Sequence, residues 1–203
     1  MTNKVNNMEK SKKCQQIISS GEKLFIRHGI KRISVKEICN TAGVSKMTFY
    51  KYFDNKVDLA LHIIKEMMKQ GEMRYQDIMA MDVPYQNKAR EIIKMKMELS
   101  KDMGREMFSD FFKSPYPEVT EFVQKKLKEN MRLFLKGFIR AQEQGDIRND
   151  IKPEFILYFL NHMMNMIEDK SLIGLYASSQ ALTAEIVNFF FYGILSREKD
   201  AGK

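Results

Sequence analysis

No tryptophan occurs in this chain, and proline, cysteine and histidine number only four, two and three among 203 residues. Four prolines and ten glycines exclude a collagen-like or Pro/Gly-rich low-complexity chain. Cys14 and Cys39 are too few for a disulfide framework at this size. Each falls on the apolar stripe of a predicted helix, so both read as buried reduced thiols. His28, His62 and His162 lie far apart, with no HExxH or Cys/His metal spacing. There is no Gly-rich phosphate loop and no G-x-S-x-G, so nothing points to an enzyme, a metal or any other cofactor. Long hydrophobic runs are missing too. The stretch from Ala181 to Leu195 is interrupted by Glu185 and Asn188, and it is shorter than the ~20 residues that span a bilayer. The opening MTNKVNNMEKSKK has lysines but no apolar stretch behind them, unlike a secretory signal. A soluble, cytoplasmic protein with no membrane partner is expected.

What is present is an ordinary globular balance, 44% hydrophobic and 30% charged, with 14 Phe and 16 Met to build a core. The net charge of +8 is unevenly placed. Residues 1–60 carry 12 Lys and Arg against five Asp and Glu, while residues 61–203 carry 22 against 21. A polyanion-binding module joined to a neutral body would have this asymmetry, although a basic tail that aids solubility would share it.

The periodicity is helical throughout, and about nine helices are expected in an all-α fold. Ile17, Ile18, Gly21, Leu24 and Phe25 mark one face of a first helix that should stop at His28-Gly29. Ser34 and Glu37 form a capping box for a short second helix, flanked by an Ile33/Ile38 staple, and Gly43 ends it. Ser45 is the next N-cap, and the third helix turns Phe49 and Phe53 inward. Asp54 or Asn55 caps a long fourth helix. Further on, Pro84, Gly104, the Pro115/Pro117 pair, Gly145, Pro153 and Ser178 or Ser179 punctuate the rest. They delimit helices to about Ser100, Lys113, Gly145, Ala177 and Ser196.

The turn Ala42-Gly43-Val44-Ser45 has the length of a helix-turn-helix, with glycine for its left-handed position. The short third helix shows Lys46, Met47, Thr48, Tyr50, Lys51 and Tyr52 on its outer side. Such a helix fits a major groove, its first residues at base edges and its flanks on phosphates. The alternative is an ordinary helical hairpin with a solvated face, which the local charge excess disfavours.

The stretch ISVKEICNTAGVSKMTFYKYFDNKVDLA, residues 33–60, resembles the N-terminal domain of TetR-family transcriptional regulators. Ala42-Gly43-Val44-Ser45, Thr48, Tyr50, Phe53, Lys56 and Leu59 stand in that family's register. The resemblance implies a helix-turn-helix domain over residues 12–58, behind a basic tail over 1–11. It also implies a ligand-binding and dimerisation domain over 59–203. It gives Ser34, Val35, Ser45, Lys46, Met47, Thr48, Tyr50, Lys51, Tyr52 and Lys56 as the DNA-binding set. Ser34, Tyr50, Tyr52 and Lys56 would take phosphates, and Ser45 to Thr48 bases or nearby phosphates. Ser34 replaces a frequent Thr, Phe49 a frequent Leu and Met47 a frequent Gly. The long apolar Met47 could press on thymine methyls, so the operator sequence does not carry over.

The last two helices are unusually apolar, and a helix apolar all round needs cover on several sides. A second subunit would supply it, as the resemblance also implies. Met163, Ile167, Ile186, Phe189, Phe190 and Tyr192 are the expected homodimer contacts; a helix buried within one subunit is the alternative. The helix from Pro153 also carries a polar stripe of Tyr158, Asn161, Asn165, Glu168 and Asp169, read either as a solvated face or as a cavity lining. With Met68, Phe108, Phe112, Phe134 and Phe138, the two asparagines are the candidate lining for a small hydrophobic effector. The leading expectation is a dimeric repressor on a pseudo-palindromic double-stranded DNA operator. The competing one is a helical carrier or sensor of hydrophobic molecules whose basic module meets a protein or membrane surface.

Overall fold

A computed structural model describes residues 11–102, Met107, Asp110 and residues 114–194. These residues form nine helices and no β-strand. They are α1 (Lys12–Arg32), α2 (Val35–Ala42), α3 (Lys46–Tyr52), α4 (Lys56–Ala80), α5 (Tyr85–Asp102), α6 (Pro117–Glu143), α7 (Pro153–Glu168), α8 (Lys170–Ile173) and α9 (Ser179–Ile194). The expected segment between Gly104 and Lys113 lies almost wholly outside the described residues. The chain divides into two compact units, residues 1–71 with 103–126, and residues 72–102 with 127–203.

The first unit is organised around α1 to α3. Gly29, at φ 75° and ψ 160°, breaks α1 where the sequence places a stop, yet helix resumes through Arg32. Ile17, Phe25, Ile30, Ile38, Phe49, Phe53, Leu59 and Ile64 fill the core, joined by Met107, Val119 and Val123. Cys14 and Cys39 are buried in it as free thiols, and burial pushes both thiols up from their ordinary pKa. Gly21 lets α4 approach α1 closely: a Cβ there would lie 2.7 Å from Leu59 Cδ2.

The second unit packs Ile78, Tyr85, Ile92, Phe138, Ile147, Ile156, Leu182, Ile186, Phe190 and Phe191 into one cluster. The Phe190 ring stacks on Phe159 at 5.7 Å and meets Phe191 edge-on at 5.3 Å. Gly145, at φ 80°, ends the turn after α6, and Gln142 Nε2 ties the loop by donating to the carbonyls of Arg148 and Ile151 at 2.9 Å each.

The helix from Pro153 is shorter than its apolar periodicity suggests, ending at Glu168 instead of about Ala177. Asp169 is the reason. Its Oδ1 accepts the amides of Ser171 at 2.8 Å and Leu172 at 3.4 Å, capping α8 in place of prolonging α7. Ser178, one of the two serines expected to open the last helix, accepts the Ala181 amide at 3.2 Å.

Candidate nucleic-acid interface

Two successive caps build the interface. At α2, the Ser34 Oγ accepts the Glu37 amide at 3.3 Å, and the Ser34 amide donates to Glu37 Oε2 at 2.8 Å. The Ser34 hydroxyl also donates to Glu37 Oε2 at 2.6 Å. That bond first, and the one from the Ser34 amide second, hold the Glu37 carboxyl below its ordinary pKa, with lesser help from His28 and Lys56. Gly43 then turns the chain at φ 65°, its left-handed conformation closing α2. At α3, the Ser45 Oγ accepts the Thr48 amide at 3.1 Å and lies 3.0 Å from the Thr48 hydroxyl. Phe49 and Phe53 anchor the inner side, 5.8 Å apart and essentially fully buried.

The ten residues expected at DNA therefore divide by what their side chains already do. Ser34 and Ser45 cap helices, and the Thr48 hydroxyl pairs with that of Ser45. Val35 is half-buried and packs against the core. The Tyr52 hydroxyl lies 2.7 Å from Ser11 Oγ, which ties α3 to the N-cap of α1. Lys56 Nζ donates to the carbonyls of Lys31 and Ile33, both at 2.9 Å. What α3 turns outward is Lys46, Met47, Tyr50 and Lys51, with Met47 85% and Tyr50 52% exposed. The sequence pattern placed every one of these on or beside the helix-turn-helix. The bonds from Tyr52 to Ser11 and from Lys56 to the carbonyls join positions far apart in the chain, and no local spacing announces them.

The effector candidates whose side chains are described fall in both units. Met68 is half-buried against the first unit's core, whereas Phe134 and the fully buried Phe138 pack in the second unit. Phe108 and Phe112, and the side chains of Asn161 and Asn165, lie outside what is described. Elsewhere in the second unit, a cleft of about 260 Å³ is lined by Arg74, Asp77, Ile78, Glu91, Lys94, Met95 and Glu98. A smaller one of about 100 Å³ lies by Gln86, Arg90, Asn188 and Tyr192. Neither is lined by an expected effector residue.

The expected dimer residues also separate. Met163, Ile186 and Phe190 are buried in their own unit's core, while Phe189 is 72% and Tyr192 65% exposed. The Ile167 side chain lies outside the described residues. On α7, Phe155, Tyr158, His162 and Met166 stay exposed at helical spacing, with the His162 ring stacked 4.0 Å over Tyr158. Among the described residues no cluster of His, Cys, Asp or Glu could hold a metal, and no helix is long and apolar enough to cross a membrane.

A chain helical in its described residues, with a doubly capped helix-turn-helix and an outward basic, aromatic third helix, is of the class that reads DNA. Residues 17–63 match the family model described as bacterial regulatory proteins, tetR family. The chain is 25% identical over 147 residues to the HTH-type transcriptional regulator LuxR of Vibrio harveyi, covering 71% of this chain and 72% of that one. It is 36% identical over 62 residues to the fatty acid metabolism regulator protein of Bacillus subtilis, covering 30% and 32%. In fold it is similar to the fatty acid degradation regulator FadR from Bacillus halodurans, with a TM-score of 0.68 at 19% identity over 89% and 95% of the two chains. The N-terminal segment thus matches the tetR-family model, and the relatives that extend the likeness beyond it are transcriptional regulators.

Proposed function

We propose that this protein is a dimeric repressor in the cytoplasm, holding a pseudo-palindromic DNA operator with two copies of α3 and released by a small hydrophobic effector. The observation that carries the DNA reading is the exposed set on α3. With the cap hydroxyls of Ser45 and Thr48 turned to the helix itself, Lys46, Met47, Tyr50 and Lys51 are the groups offered to a groove. Lysines and a tyrosine hydroxyl suit phosphates, and a thioether suits the apolar edge of a base pair. Lys56 uses two of its three N–H donors on carbonyls, which leaves one for a phosphate.

Selection from genomic and random duplexes followed by footprinting tests the reading. A protected pseudo-palindrome with half-sites about 34–36 Å apart, or a multiple of that, is expected. Lys46→Ala and Lys51→Ala should each reduce the slope of log K against log salt by about 0.9. Equal affinity for all sequences at moderate salt would leave only a polyanion-binding surface.

The effector reading leans on likeness to regulators whose names refer to fatty acids, so long-chain acyl compounds are the first probes. Met68, Phe134, Phe138, Asn161 and Asn165, with Phe108 and Phe112, remain its proposed contacts. A true inducer must bind more weakly to the operator complex than to the free protein, by the same factor that it weakens operator binding. Equal affinities would exclude it.

A further inference from the structure

Residues 30–33, the end of α1 beyond its break at Gly29 and the residue after it, lead into α2, and three of their backbone groups are held by charged side chains from distant parts of the chain. Gly29 takes the backbone off its helical path just before Ile30. The Ile30 amide donates to Asp110 Oδ2 at 2.5 Å, a bond between residues 80 positions apart. Lys56 Nζ donates to the carbonyls of Lys31 and Ile33 and lies 5.9 Å from the ring centre of Tyr116. Ile30 and Ile33 are buried, so an unpaired group here would not readily turn to water. Ser34, the N-cap of α2, follows at once. The segment is thus clasped on its amide side by a carboxylate and on its carbonyl side by an ammonium.

We infer that Asp110 is a positioning residue for DNA binding. Through the Ile30 amide it sets the segment from which α2 and α3 depart, so the position of the Asp110 carboxylate is felt at the DNA-reading face without contact to DNA. Met107, three residues before it, is fully buried in the same core and anchors the carboxylate's approach. The bond is charge-assisted, the stronger kind of amide contact. Its loss leaves a buried donor unpaired and frees the segment to wander. This inference rests on the DNA-binding reading. A wild-type protein with no preferred duplex would overturn that reading before any variant is made.

The test uses the full chain, the operator found by footprinting, and three readouts: exchange of the Ile30 amide by NMR, operator affinity, and the salt slope. Asp110→Ala should speed Ile30 exchange and weaken operator binding about tenfold with the slope unchanged, since no phosphate contact is removed. Asp110→Asn keeps an acceptor and should recover most of both. Should the alanine variant fail to fold, Asp110→Asn and Asp110→Glu supply the same comparison, the latter keeping the charge on a longer arm. Affinity that follows Ile30 protection across the series supports the role. Faster exchange at unaltered affinity overturns it, as does tighter binding to every duplex, which would mark a simple charge effect.

Discussion

Met47 stands 85% exposed in the first turn of α3, where water is a poor neighbour for a thioether. The neighbouring hydroxyls of Ser45 and Thr48 are held in the cap, so on the proposed reading the apolar chain would be the reader. In a major groove the apolar feature of a base pair is the thymine 5-methyl. Replacing operator thymines by deoxyuridine should therefore weaken binding at one position per half-site by about fourfold, the worth of one buried methyl or methylene group. Met47→Gly should lose that sensitivity while keeping the salt dependence carried by Lys46 and Lys51. Competition binding with single-site deoxyuridine operators measures both. Equal sensitivity in the wild type and the glycine variant would remove Met47 from base reading.

Helix α2 shows how a cap can be tested by pH. The Ser34 hydroxyl and amide, both donating to the Glu37 carboxyl, favour its ionised form in the folded state. The folded pKa lies below the unfolded one, so this contribution is complete above the unfolded carboxylate range and is lost as pH falls through the depressed value. Glu37→Gln keeps a capping residue at that position but cannot titrate. Denaturation midpoints should show the wild type ahead of the variant at neutral pH and the gap closing in acid; a pH-independent gap would exclude this linkage. The elements most legible in the sequence are those with this local chemistry: Ser34 and Glu37, Gly43, Ser45, and Pro117 and Pro153 as first helical residues. Legibility failed where two local signals competed. Apolar spacing carried α7 past Glu168, but the Asp169 cap stopped it. It failed also where distant groups meet. The clasp of Asp110 and Lys56 on residues 30–33 depends on which helices come together, which periodicity does not encode.

For the whole molecule the open question is what covers the last helix, and its two adjacent phenylalanines separate the answers. Phe190 is 4% exposed, stacked on Phe159 and edge-on to Phe191, so the subunit's own core already covers it. Phe189 is 72% exposed one residue away, and Tyr192 is exposed on the next turn. A lysine at 190 would bury an unpaired charge at a cost of several kcal/mol and should unfold the second unit. A lysine at 189 would keep its ammonium in water in a lone subunit and meet a partner only if α9 forms the dimer. Phe189→Lys is therefore expected to yield a folded, helical monomer by sedimentation, and Phe190→Lys an insoluble or partly unfolded chain. On the proposed reading a two-fold dimer would offer two α3 helices to DNA, so the monomer should bind one half-site and lose the gain from linking two. Its operator affinity should fall by at least tenfold, with the salt slope roughly halved, because half the phosphate contacts remain. Were Phe189→Lys to sediment as a dimer with operator affinity intact, the subunits would meet through another surface, and the exposed faces of α7 and α9 would need a different occupant.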